Sequence, residues 1–257
     1  MRVEWMPGTE SASVLAIRRS YLICTTPRTG SNFLCEVLRS SGLAGYPDDY
    51  FWNPPFWYGR WQVSTFSAYL ERLLHEGTSP NGIFGCKMMW DYLGDLLPQL
   101  VGHAVMETMT PHEILAATFP NLQYVWLRRR DTIRQGISYY RALETRIWRS
   151  TDRGTEPVAD PPFNAQAIES LVQLCTWEDR EWHDLFQRAG ITPLVVSYEE
   201  LAASPQGVAA AIVAFLGLPP APSLEGRAWA HQRQADALTE SWVQRYLAAM
   251  DTTHQEV

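Results

Sequence analysis

The sequence predicts an α/β protein, a three-layer sandwich with a central parallel sheet flanked by helices. Short apolar runs alternate with stretches of helical spacing, the pattern of strands linked by crossover helices. The first apolar run leads through a tight polar loop straight into a helix. The chain has 257 residues, 46% hydrophobic and 19% charged, enough to bury a substantial core.

The elements follow in order. Ser20-Tyr-Leu-Ile-Cys24 is the first strand, and Thr25-Thr-Pro-Arg-Thr-Gly30 the loop after it. The next helix opens at Ser31, with Phe33, Leu34, Val37 and Leu38 at helical spacing until Gly42 stops it. Further strands are expected at 83–88, 122–127 and 193–196, and helices near 93–99, 112–118, 131–146, 165–187 and 208–216. Residues 150–162 contain Gly154, Pro157, Pro161 and Pro162 and read as an exposed loop, not a domain linker. The expected organisation is an N-terminal extension at 1–19 and a single domain at 20–250.

Charge and composition narrow the function. There are 28 acidic and 21 basic residues, a net charge of −7, which argues against general nucleic-acid or anionic-membrane binding. No apolar run approaches the length of a membrane span. The first twenty residues carry Glu4, Glu10, Arg18 and Arg19 and no apolar centre, so no signal peptide is expected. Cys24, Cys35, Cys86 and Cys175 are far apart in apolar stretches, and the six histidines show no HxH or HxxxH spacing. A reducing cytoplasm and metal-free chemistry are expected.

The basic residues are the informative ones. Lys87 is the only lysine beside twenty arginines, and eight of these fall between Arg128 and Arg153. A GC-rich genome would account for the arginine bias but not for its clustering in an acidic chain. Local positive charge points to a polyanionic small molecule.

Ligands of parallel sheets sit at the carboxyl ends of the strands. In the first loop, Gly30 permits a tight turn, and the amides of Gly30, Ser31 and Asn32 open a helix toward an anion. Thr29 and Ser31 add hydroxyls, and Arg28 a planar fork for phosphate or sulfate oxygens. The loop lacks the GxxxxGK[ST] pattern, and Arg28 follows Cys24 too closely for the CxxxxxR loop of tyrosine phosphatases. The plainer reading is a helix start with Ser31 as N-cap. A second site changes the balance: Arg128-Arg129-Arg130-Asp131 ends the 122–127 strand, and Ser138 lies along the following helix.

Pro27-Arg-Thr-Gly-Ser31 resembles the 5′-phosphosulfate loop of sulfotransferases that use 3′-phosphoadenosine 5′-phosphosulfate (PAPS). Arg129 with Ser138 is similar to their 3′-phosphate pair. Further stretches resemble one branch, the bacterial trehalose 2-sulfotransferase-like family, related to nodulation-factor and lipopolysaccharide sulfotransferases. They are Gly45-Tyr-Pro-Asp-Asp-Tyr-Phe51, Gly82-Ile-Phe-Gly-Cys-Lys-Met-Met-Trp90, Ser138-Tyr-Tyr-Arg-Ala142, Thr145-Arg-Ile-Trp-Arg149, Arg233-Gln-Ala-Asp236 and Ser241-Trp-Val-Gln-Arg-Tyr246. The ordered set runs from residue 21 to about 246.

The resemblance implies a P-loop-like sandwich and in-line sulfuryl transfer from PAPS to a hydroxyl of a small carbohydrate or glycosylated secondary metabolite. PAPS would leave as adenosine 3′,5′-bisphosphate, with no metal needed. Pro27, Arg28, Thr29, Gly30, Ser31 and Asn32 would hold the 5′-phosphosulfate, Arg129 and Ser138 the 3′-phosphate, and Arg233 would meet the nucleotide. The family's proposed base is a glutamate where this chain has Asp49; Asp48, His103 and His112 are the other candidates. Lys87 is assigned near the sulfuryl group or the acceptor; otherwise it is an edge lysine whose amine reaches water. Eight of the sixteen residues from Tyr46 to Trp61 are aromatic. The expected acceptor residues are Asp49, Tyr50, Phe51, Trp52, Trp90, Arg146 and Trp148. A homodimer is implied by the resemblance alone. The alternatives are sulfation of a non-sugar product at a phenol, alcohol or guanidine nitrogen, a P-loop kinase, and a non-catalytic nucleotide-binding protein.

Overall fold

Four strands pair in parallel, in the order β2-β1-β3-β4. They are β1 (Arg19–Thr25), β2 (Ile83–Met89), β3 (Leu122–Arg128) and β4 (Leu194–Ser197). The structure, a computed structural model, describes residues 16–102, 107–152, 159–231 and 236–255. The helices are α1 (Ser31–Ser41), α2 (Pro54–Trp61), α3 (Phe66–Gly77), α4 (Leu93–Val101), α5 (Pro111–Thr118), α6 (Thr132–Thr145), α7 (Ala165–Ala189), α8 (Tyr198–Ala203), α9 (Pro205–Phe215) and α10 (Ala237–Gln255).

Side chains alternate across a strand, so a sheet covered on both faces needs apolar residues at every position. Here Leu22, Cys24, Cys86, Met88, Tyr124 and Trp126 pack with Leu93 and Leu96 of α4, Leu115 of α5 and Trp182 and Phe186 of α7. Their neighbours Tyr21, Ile23, Val125, Leu127 and Val196 pack on the other face with Leu34, Val37 and Leu38 of α1 and Val208, Ile212 and Val213 of α9. A third cluster joins Ile137 and Tyr140 of α6, Ile168 of α7 and Trp242, Val243 and Tyr246 of α10. The result is the expected α/β sandwich, helices on both sides of a parallel sheet.

Every strand expected from the sequence is present, within one residue at each end. Four helices were not expected. α2 lies in the aromatic stretch, where two prolines stand at its opening and none of its residues is buried, so no amphipathic stripe marks it. α3 is capped by Thr65, whose hydroxyl accepts from Ala68 N, and α8 by a reciprocal Ser197–Glu200 capping box. α10 covers the tail motif. The first helix starts differently from the plainer reading: Gly30, not Ser31, is the N-cap, and no side chain caps it. In the 150–162 loop, Ser150–Asp152 forms a 3-10 turn, and 153–158 lies outside the described residues.

Because all strands run in one direction, Thr25, Met89, Arg128 and Ser197 end on the same edge of the sheet. A cleft of about 1430 Å³ opens there. Among the described residues, no helix is long and apolar enough to cross a membrane.

Candidate functional site

The loop after β1 is held from beneath. Thr25 Oγ1 lies 2.5 Å from Thr29 Oγ1 and donates to Leu127 O of β3 at 2.9 Å. Gln135 of α6 donates to Thr26 Oγ1 at 2.8 Å and to Pro27 O at 2.7 Å. Thr29 is fully buried and its hydroxyl also donates to Thr26 O, so it braces the loop and does not face the cleft, against the expectation of a ligand hydroxyl there. Pro27, Arg28, Gly30, Ser31 and Asn32 do line the cleft. Gly30 has φ +79°, and a Cβ there would lie 2.7 Å from the Tyr198 ring, so both conformation and space demand glycine. With no side-chain cap at its start, α1 leaves its first amides directed at the cleft.

Pairing of β1 with β3 brings the second basic loop alongside. Arg28 Nε donates to Ser138 Oγ at 2.9 Å, and its Nη1 to Trp148 O. Arg129 Nη1 donates to Arg28 O at 3.0 Å, and its guanidinium lies 4.6 Å from the Tyr198 ring centroid. Burial, and next the neighbouring Arg129 charge, lower Arg28 to about 10. Arg28 remains charged at neutral pH, and two guanidinium groups at this range favour an anion between them. The rest of the arginine triplet points elsewhere. Arg128 forks onto Asp179 with bonds of 3.1, 3.0 and 2.5 Å, and Arg130 pairs with Glu200 at 2.8 Å.

Opposite this basic end, the 42–50 segment is pinned against β2. Tyr46 N donates to Gly77 O at 2.9 Å and Lys87 N to Asp48 O at 3.0 Å. Lys87 is only 1% exposed, and its Nζ reaches Asp49 Oδ2 and, at 2.9 Å, Asn32 Oδ1. The edge-lysine alternative is excluded, since a buried ammonium needs such an anion. Asp49 Oδ1 accepts from Tyr92 OH at 3.0 Å. Burial works to raise Asp48, but Arg39, bonded to it at 2.7 Å, the Asp49 amide and Arg149 hold it below the usual carboxylate range. Its carboxylate is thus committed to Arg39. His112 packs near the amino end of β3, 2.9 Å from Tyr124 OH and away from the cleft, and His103 lies outside the described residues.

The aromatic residues divide. Tyr50 and Phe51 are buried in the core, and Trp90 packs edge-on against Trp182 at 5.1 Å; none of the three lines the cleft, contrary to the acceptor assignment. Trp52, Arg146 and Trp148 do, beside Phe56, Trp57 and Tyr139. Arg233 lies outside the described residues. Sequence reasoning missed Asp91, Tyr92, Phe33, Tyr198 and Trp229, all cleft residues. The strand-end rule that singled out the other loops applies equally to Asp91 and Tyr92, which follow β2, and to Tyr198 after β4. Among the described residues, no group of three His, Cys, Asp or Glu side chains is placed to hold a metal ion.

The chain is 27% identical to the trehalose 2-sulfotransferase of Mycobacterium tuberculosis (strain ATCC 35801 / TMC 107 / Erdman), over 90% of this chain and 95% of the relative. It is 26% identical to the trehalose 2-sulfotransferase of Mycolicibacterium smegmatis, over 88% and 94%. A crystal structure of a sulfotransferase from Alicyclobacillus acidocaldarius superposes with a TM-score of 0.49 at 14% identity, covering 90% of this chain and 92% of that one. The family model described as Stf0 sulphotransferase matches residues 20–249, nearly the whole described chain. The kinase and non-catalytic alternatives give way to that match, and the chain belongs to the Stf0 sulfotransferase family of enzymes.

Proposed function

We propose that this enzyme moves the sulfuryl group of PAPS to a hydroxyl of a small carbohydrate or glycosylated metabolite, with residues 20–250 acting as one catalytic unit. The observation that carries the reading is the Lys87 bridge. A buried ammonium ties Asp49, the proposed base, to Asn32 in the proposed phosphosulfate loop. Support for PAPS is the meeting of half-buried Arg28 and Arg129 with the uncapped start of α1, a donor set suited to phosphate and sulfate oxygens. Support for a sugar acceptor is the named activity of the two mycobacterial relatives and the aromatic wall of Trp52, Trp57 and Trp148. A homodimer belongs to the same reading and rests on the family resemblance, and a cytoplasmic location rests on the four scattered, unpaired cysteines.

In this mechanism Arg28 and the α1 amides hold the 5′-phosphosulfate, and Arg129 with Ser138 holds the 3′-phosphate. Asp49 takes the proton of the acceptor hydroxyl as its oxygen bonds to sulfur. The bond from sulfur to the bridging phosphate oxygen breaks in line, and Arg28 and Lys87 face the negative charge that gathers there. The products are a sulfate ester, adenosine 3′,5′-bisphosphate and a proton on Asp49 that passes to water.

Calorimetric titration with adenosine 3′,5′-bisphosphate, with ATP as control, tests the donor half. Tight binding of the bisphosphate and little of ATP is expected. The base is tested with Asp49→Asn, for which bisphosphate affinity should stay within about twofold while turnover of labelled PAPS with trehalose drops by about 10²–10⁴. Preference for ATP would sink the donor assignment, and a fully active Asp49→Asn the base.

A further inference from the structure

Asp49 is held through its backbone as well as through its side-chain bond to Lys87. Its carbonyl accepts from Trp57 Nε1 and from Trp52 N, both at 3.2 Å, and Lys87 N holds the adjoining Asp48 carbonyl. The backbone of the proposed base is therefore fixed by α2 and β2 together. Its carboxylate is a separate matter. The Lys87 contact runs to Oδ2, and a carboxylate anchored through one oxygen still turns about its last torsion.

The second anchor is Tyr92, in the turn directly after β2, donating to Oδ1 at 3.0 Å from the wall of the same cleft. A carboxylate oxygen has two lone pairs, so Oδ1 keeps one for an incoming hydroxyl while Tyr92 occupies the other. Oδ2 lies on the buried ammonium, whose full positive charge lowers its basicity more than a neutral phenol does, so Oδ1 is the oxygen to receive a proton. We propose that Tyr92 is a positioning residue: its hydroxyl fixes the plane of the Asp49 carboxylate so that the free lone pair of Oδ1 meets the acceptor hydroxyl. Burial, and next the Asp49 charge, push the Tyr92 phenol far above its ordinary range, so it keeps its proton and stays a donor. The charged groups nearby are Lys87 of β2 and Asp91 beside Tyr92 in the same turn. This inference rests on Asp49 as base.

The test compares Tyr92→Phe, Asp49→Asn and the double variant, with kcat, KM for PAPS and bisphosphate affinity measured for each. Tyr92→Phe keeps the ring and its packing, and unchanged bisphosphate affinity reports an intact fold. It should lower kcat about ten- to hundredfold, the value of a hydrogen bond to a charged group, with KM within about twofold. Added to Asp49→Asn, it should cost less than about twofold, because the carboxylate it orients is gone. Wild-type kcat in Tyr92→Phe, or an equal loss in both backgrounds, overturns the positioning role. Full activity in Asp49→Asn instead removes the base itself, and the positioning role with it.

Discussion

Glu178 shows how much a single buried acid can matter away from the reacting groups. It sits on α7, 4% exposed, with its Oε2 unpartnered among the described residues. Burial, and next the Asp91 charge, raise its carboxyl to about 8. The unfolded chain ionises this group near the usual glutamate value of about 4.3. Between those limits the folded state holds a proton that the unfolded state has lost, so stability falls as pH rises through the window. Glu178→Gln removes the titration. The slope of unfolding free energy against pH, measured by urea melts from about pH 5 to about pH 8, should become less negative by roughly 1.4 kcal/mol per pH unit. An unchanged slope would show that Glu178 does not carry this proton. Lys87 teaches the complementary lesson. The sequence placed a lone lysine in an apolar strand and required an anion or an exit to water, and only packing of the 42–50 segment selected the anion.

At the scale of elements, the segment between α1 and α2 delivers Asp48 and Asp49 to the edge of β2, and Gly45 makes that approach possible. Its φ is +69°, and a Cβ would fall 2.7 Å from Ile83 O, 2.9 Å from Gly77 O and 2.9 Å from Gly85 N. All three contacts are backbone, so no side chain can give way. Gly45→Ala should destabilise the chain by about 2 kcal/mol or more in urea melts. It should also lower turnover further than bisphosphate affinity, since the segment carrying the proposed base moves and the loop proposed to hold the phosphosulfate does not. Stability equal to wild type would show that the segment has slack. The same scale explains the unexpected helices. Thr65, Ser197 and Glu200 are ordinary cap signals that were there to be read, whereas α2 buries none of its residues and offers no periodicity.

For the molecule as a whole, arginines of an acidic chain gather at one cleft, among six aspartates. A chain of net charge −7 lines one cleft with Arg28, Arg129, Arg134, Arg141, Arg146 and Arg149. Several are partly neutralised in place: Arg134 joins Glu240, and Arg141 bonds Asp236 at 2.7 and 2.9 Å, tying α10 to α6. Arg141 lowers Asp236 to about 2, so this tie persists to strongly acid pH and is lost as pH falls through that value. An arginine cleft in an acidic body attracts polyanions at long range, and salt screens that attraction. Raising ionic strength from about 50 mM to about 500 mM should weaken adenosine 3′,5′-bisphosphate binding by about tenfold. Salt-independent affinity would mean that short contacts alone hold the nucleotide.

The sequence by itself determined the layers of this protein and the loops proposed to bear its chemistry. Strand and helix periodicities are local, Gly30 marks the turn where only glycine fits, and strand-end arginines announce an anion-facing edge. Tertiary structure decided which way the side chains turn. Of Arg128, Arg129 and Arg130, only Arg129 enters the cleft, because Asp179 and Glu200 from other elements claim its neighbours. Of the aromatic residues, Trp52 and Trp148 line the cleft, while Tyr50, Phe51 and Trp90 fill space beneath α3 and α7. Thr29, Lys87 and Asp49 likewise take their partners from distant parts of the chain or from the loop's own fold. Orientation of this kind depends on which surfaces remain apolar and which charges remain unpaired after the layers close, and no window of sequence contains both sides of that choice.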